Sequence, residues 1–181
     1  MAKVITLSRQ FPSYHPKAGM PTNFVSNVWD VLFPDNIKGI SIPSELSSDF
    51  STWKFNKEVI IPKHHTIRLK KQNDDGTFIG RWKDGDMASL RVWSGKPYNS
   101  PQIKICDDVK IRVLDIVIDF KNGLIFEDDD KVIRLLSTRT LATNDGLLPR
   151  DFLDWFQADK NRKKGIAVEA QILIWGNVTE Y

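Results

Sequence analysis

Apolar residues recur along this chain with two different periods. In residues 21–32, Phe24, Val25, Val28, Val31 and Leu32 fall on one helical face. The spacing predicts a helix over Pro21–Leu32, capped by Thr22 and stopped by Pro34. From Val59 onwards the period is mostly two, as in a half-buried strand. His65, Ile67 and Leu69 alternate with Thr66, Arg68 and Lys70, and Ala88, Leu90 and Val92 alternate with Ser89, Arg91 and Trp93. Leu114, Ile116, Ile118 and Phe120 form the apolar side of a longer strand that ends at the Asn122-Gly123 turn. Asn73-Asp74-Asp75-Gly76 is another turn, and Val4–Leu7, Gln102–Ile105 and Val132–Leu136 are short strands. A second helix is predicted over Pro149–Phe156, with Pro149 at its first position and Leu148, Phe152, Trp155 and Phe156 on one face. The last strand is Val168–Trp175, with Ile172 and Ile174 on one side.

A helix near each end and at least five strands between them predict an α+β fold. Many short strands with turn signals tend to close up, which predicts a small β-barrel of mostly antiparallel strands with flanking helices. The 181 residues suit one domain over 1–181. The Ser-rich stretch from Asp35 to Thr52, with Gly39 and Pro43, reads as an insertion.

Composition narrows the class. Hydrophobic residues make up 41% and charged residues 27%, which excludes a collagen-like or largely disordered chain. The single cysteine, Cys106, excludes a disulfide-framed scaffold and points to a reducing compartment, here the cytoplasm. No run of about 18 apolar residues exists, and Met1–Gln10 is too polar for a signal peptide, so no membrane role is expected.

The net charge of +3 names no partner, but it is a cancellation. Lys54, Lys57, Lys63, Arg68, Lys70 and Lys71 lie close together, opposed only by Glu58. Lys160, Arg162, Lys163 and Lys164 form a second cluster, and acid collects at Glu127-Asp128-Asp129-Asp130. Basic clusters near Trp53, Trp82, Trp93 and Tyr98 suit phosphate neutralisation and base stacking. A solvated lysine face fits the same pattern.

The string Pro62-Lys63-His64-His65-Thr66-Ile67-Arg68 carries the candidate chemistry. Thr66 and Arg68 share a strand face. Lys63 joins them only from a turn before the strand, which Pro62 favours. A desolvated lysine beside a threonine hydroxyl can act as base, and an arginine alongside binds phosphate or an oxyanion. An ordinary exposed strand with long basic side chains is the alternative.

Lys63-x-x-Thr66-Ile67-Arg68 resembles the signature of ASCH domains, of the PUA-like superfamily. Lys83-Asp84-Gly85-Asp86 is similar to the turn before the next ASCH strand, and Val92 to Gln102 resembles uncharacterised bacterial and phage members. Leu7 to Pro16, Asn144 to Leu147 and Asp151 to Phe156 fit the same group, and residues 33–58 have no counterpart in compact ASCH domains, so the resemblance implies an insertion with those bounds. The resemblance implies a PUA-like barrel with a cleft beside the N-terminal helix, and RNA or a modified nucleotide as partner. Arg68, Lys70, Arg91, Trp93, Lys96 and Tyr98 are the expected nucleic-acid-facing residues. It also implies an activity, because some small members are acetylcytidine amidohydrolases that use Lys, Thr and Glu. Lys63 and Thr66 match by position, and the acid falls at Asp145, one methylene shorter than the family's Glu. In that scheme Lys63 is base to Thr66, Thr66 attacks the amide carbonyl and Asp145 assists proton transfer. Asp145-Gly146 equally suits a plain turn.

Other residues carry less. His64 and His65 point to opposite strand faces, so no metal site is expected there, and no cofactor is implied. Cys106 beside Asp107 and Asp108 lacks the positive surroundings that activate a thiolate. Three functions follow: a nucleic-acid-binding module, an amidohydrolase on an acylated nucleoside, or a non-catalytic interaction protein using residues 33–58.

Overall fold

The alternating segments pair into three sheets in a computed structural model that describes residues 3–34, 42–50, 61–127 and 134–178. β1 (Lys3–Leu7), β5 (Met87–Trp93) and β6 (Gln102–Lys110) form one, in the order β1-β5-β6. β1 runs parallel to β5, and the other ladders are antiparallel. The second sheet contains β2 (His65–Leu69), β7 (Arg112–Asp119), β8 (Leu124–Glu127), β9 (Arg134–Leu135) and β10 (Ala167–Ile174). Its order is β2-β10-β7-β8-β9. β3 (Lys71–Gln72) and β4 (Phe78–Ile79) make a small hairpin on the Asn73–Gly76 turn. The fold is therefore α+β. No sheet closes on itself among the described residues, so the ladders alone do not form the closed barrel that the strand count predicts.

The period-two pattern is what builds the core. Ile5 and Leu7, Ala88, Leu90 and Val92, and Ile116, Ile118 and Ile172 all enter one buried apolar cluster. α1 (Phe24–Leu32) adds Phe24, Val25, Val28 and Trp29 to the same cluster. A nine-residue helix is too short to be stable alone, so this buried stripe is what holds it. α1 begins at Phe24, later than the predicted Pro21. Pro21 instead bridges to Gln10, and Thr22 Oγ1 donates to Ser8 O (2.6 Å) while accepting from Phe24 N (3.3 Å). The threonine thus ties the helix entry to the end of β1.

β6 runs on to Lys110, well past the predicted Ile105. It is the edge of its sheet, so Lys104, Asp107 and Asp108 can face solvent without leaving the ladder. The register slips opposite Leu90, and Asp108 adopts φ 56°. One fully buried residue, Ile111, carries the chain from β6 into β7. α2 (Thr138–Asn144), capped by Ser137 Oγ on Thr140 N, and α4 (Ala158–Lys163) were not expected from the pattern. α3 (Pro149–Trp155) follows its prediction.

The segment between β4 and β5 is clamped to β10. Gln171 Nε2 donates to Trp82 O and to Asp115 Oδ1, and its Oε1 accepts from Trp82 N (3.0–3.1 Å). A Cβ on Gly80 would stand 2.1 Å from Gln171 Nε2, so a side chain there would push the Gln171 amide out of these bonds.

The expected insertion at 33–58 lies largely outside the described residues. Within it, the 3-10 segment Ser44–Phe50 buries Leu46 and Phe50, the latter edge-on to Trp29. Lys54, Lys57, Trp53, the acidic run 128–130 and the first two residues of the strand predicted at Val132–Leu136 also lie outside them, and β9 covers Arg134 and Leu135 of that strand. No helix among the described residues is long and apolar enough to cross a membrane.

Candidate functional site

Three distant segments hold Lys63 in place. Its N–H donates to Asn27 O of α1 (3.2 Å), and its carbonyl accepts from Trp175 Nε1 just after β10 (2.8 Å). Its backbone forms an isolated bridge with Asp145, which follows α2. The adjoining His64 N donates to Asn144 O (2.7 Å). The bridge interrupts the strand, and β2 starts afresh at His65. That break releases Lys63 from strict alternation and lets it share a side with Thr66.

The Lys63 side chain is 1% exposed. Nζ donates to Asp145 O (2.7 Å) and to the Asp145 carboxylate, and it stands 3.9 Å from the Phe24 ring centroid. A buried ammonium without such partners would be prohibitively costly. Burial lowers the Lys63 pKa from its ordinary value, opposed by Asp145 and reinforced by Arg68. Burial raises that of Asp145, opposed by Lys63 and Arg68. Both shifts make it easier for the proton to pass from Nζ to the carboxylate than it would be between the same groups in water.

Lys63, Thr66, Arg68 and Asp145 line one cleft of about 80 Å³, walled by Thr6, Leu7 and Ser8 of the β1 end and by Phe24. The four residues singled out in the sequence therefore converge. Thr66 is buried on β2. Arg68 Nη2 donates to Thr6 O (2.6 Å), so its guanidinium spans from the second sheet to the first. Burial lowers the Arg68 pKa, against Asp145 and Tyr98, which act on it in the opposite direction.

The remaining expected binding residues divide. Trp93 and Tyr98 pack together with ring centroids 5.3 Å apart, and both line two wider lobes beside the cleft. Lys70 lines none of these spaces, and its charge faces Asp115 and Glu169 of neighbouring strands (both 3.4 Å). Arg91 Nε donates to Ser89 Oγ, which in turn donates to Asp107, so it too lies away from the cleft. Lys96 sits on the exposed loop after β5 and lines no lobe. The cluster Lys160–Lys164 ends α4 and lies away from all three spaces. Phe24, Asn27 and Thr6 belong to the site yet carry no motif, because a helix-face phenylalanine and an ordinary strand threonine look like core and surface.

Cys106 is half-buried, and burial together with Asp107 and Asp108 raises its pKa, which disfavours the thiolate. Among the described residues no three His, Cys, Asp or Glu side chains gather where a metal ion could sit.

His65 makes the fold sensitive to acid. It is fully buried, and burial, Lys63 and His64 hold its pKa well below the ordinary 6.5, with Leu141 as an opposing backbone partner. Burial lowers His64 as well, against Asp30. The folded His65 stays neutral where the unfolded one takes up a proton. Its contribution is thus complete above the unfolded pKa and is lost as pH falls towards the folded one. The unfolding free energy from urea titrations should drop from about pH 7 to pH 5, by up to about 1.4 kcal/mol per pH unit and proton. His65→Gln should flatten that slope, and an unchanged slope would remove His65 as the cause.

No protein-family model, curated protein or solved structure matches this chain. The chemistry of the site therefore rests on its geometry.

Proposed function

We propose that the protein is an ASCH-type nucleic-acid-binding module of the cytoplasm, with RNA or a modified nucleotide as its partner. The observation that carries this reading is the meeting of Arg68, Trp93 and Tyr98 beside the Lys63–Thr66–Asp145 cleft. A guanidinium offers planar N–H donors to phosphate, and the aromatic pair offers a face to a base. The PUA-like barrel that goes with it finds support in the passage of β6 into β7 through Ile111 and in the Arg68–Thr6 link between the sheets.

Titration of a short labelled RNA at two salt concentrations tests the reading. Binding is expected to weaken with salt, and Arg68→Ala should lower affinity about tenfold or more, as for a hydrogen bond to a charged group. Absence of binding at both salts would overturn it.

The buried, mutually neutralising Lys63–Asp145 pair favours a second reading, hydrolysis of an acylated nucleoside. Thr66 Oγ1 would attack the amide carbonyl and pass its proton to Lys63 Nζ. The amine would leave with that proton, and water would then hydrolyse the acyl-threonine ester. Release of cytidine from acetylcytidine by the wild type but not by Thr66→Val is the expected result. Equal release by both, or none from either, would remove this activity.

A further inference from the structure

The cleft and the two lobes meet at Thr6, which lines all three. Their sizes differ sharply. The cleft holds about 80 Å³, while the lobes hold about 530 Å³ and about 610 Å³. A water takes about 30 Å³ of liquid, so the cleft has room for a substituent or a base edge and not for a whole nucleoside. Each lobe is by itself the size of a small-molecule site, about 300–1,000 Å³. A single nucleoside would leave one lobe empty.

Tyr98 stands between the lobes. It lines both, and it is 89% exposed despite its contact with Trp93. Its φ of 64° is a conformation that bulky residues rarely adopt. The loop enforces it, with Ser100 Oγ bonded to Gly95 N and Lys96 O, and Ser94 N to Pro101 O. A strained backbone that presents an aromatic ring to solvent is the kind of outlier from which function is inferred. The charge of the walls also has a sign. No carboxylate is among the described residues lining either lobe, whereas Arg68 and Arg81 line one and Arg9, paired to Asp49, lines the other.

Resting on the nucleic-acid reading above, we infer that the ligand is an internal nucleotide of a single strand of about three nucleotides or longer, and not a free nucleoside. The strand crosses Tyr98, with flanking nucleotides in the two lobes. A small group on the nucleotide at Thr6 enters the cleft to face Lys63 and Thr66.

Fluorescence polarisation with labelled RNAs of one, two, three and six nucleotides tests this, on the wild type and on Tyr98→Ala. Wild-type affinity should rise at least tenfold from one to three nucleotides and then level off. Tyr98→Ala should lower hexamer affinity about 5- to 140-fold, the range for loss of one stacked base, and should shrink the length dependence. A mononucleotide that binds as tightly as the hexamer would overturn the inference and leave the nucleic-acid reading standing. Full length dependence in Tyr98→Ala would overturn the role of Tyr98 as the divider. No binding at any length, or equal competition by an acidic peptide, would overturn both readings.

Discussion

Lys63→Ala is expected to destabilise the protein by about 3–5 kcal/mol, the range for breaking one side of a buried ion pair. The mutation strands the Asp145 carboxylate, whose side chain is 7% exposed, and removes the cation from the face of Phe24. In a domain of this size it corresponds to a fall in Tm of about 6–20 °C. Asp145 can answer by taking up a proton, so the loss should shrink as the pH falls. Replacing both partners, as Lys63→Met with Asp145→Leu, should restore most of the stability, because an apolar pair of similar volume requires no desolvation of charge. Urea unfolding of both variants separates the two effects. If the single and double variants are equally destabilised, the pair is not what makes position 63 sensitive. The double variant is also the cleaner test of function, since it keeps the fold while emptying the cleft of its acid and base.

Gly146→Ala should have the next largest effect, for two separable reasons. Its φ of +73° is left-handed, and a side chain there costs about 1–2 kcal/mol. Its new Cβ would also stand 3.0 Å from Lys63 Cβ. That atom cannot retreat easily, because Asn27 and Trp175 hold the Lys63 backbone on both sides. Overpacking of this kind adds about 1–3 kcal/mol. Gly19→Ala is the matched control: its φ of +77° is similar, but nothing lies within 4 Å. Gly146→Ala should be clearly the more destabilised of the two in thermal unfolding, and it should also lose RNA affinity as Lys63 shifts. Equal losses would show that close packing against Lys63 is unimportant.

The elements that could be read from the sequence are those whose signal is local. The stripe of α1 and the alternation in β2 and β5 depend only on residue spacing, and Pro149 marks the start of α3 by its fixed φ. β6 runs past the predicted Ile105 through Asp107-Asp108, and only an edge position makes such charged residues tolerable in a ladder. α2 buries just Leu141 and Ala142, too few apolar positions to register as a period.

The site divides along the same line. Lys63, Thr66 and Arg68 stood in one string, so their types and spacing suggested base, hydroxyl and anion-binding roles from sequence alone. Arg68 and Lys70 looked equivalent there, two residues apart on one strand face. The fold separates them: β10 and β7 bring Glu169 and Asp115 to Lys70, while Arg68 reaches across to Thr6. Trp29 reads as core from its place on the apolar face of α1, whereas only tertiary contacts set Trp93 at the lobes.

The sequence by itself determined the periods, the breaks between elements, and the chemical groups available within the Lys63–Arg68 string. Tertiary structure alone decided that Asp145 lies against Lys63, 82 residues away, and that the pair is buried. The reason is physical. Spacing controls which side of a helix or strand a residue occupies, whereas its pKa, its partner and its access to a ligand depend on which other elements exclude water from it.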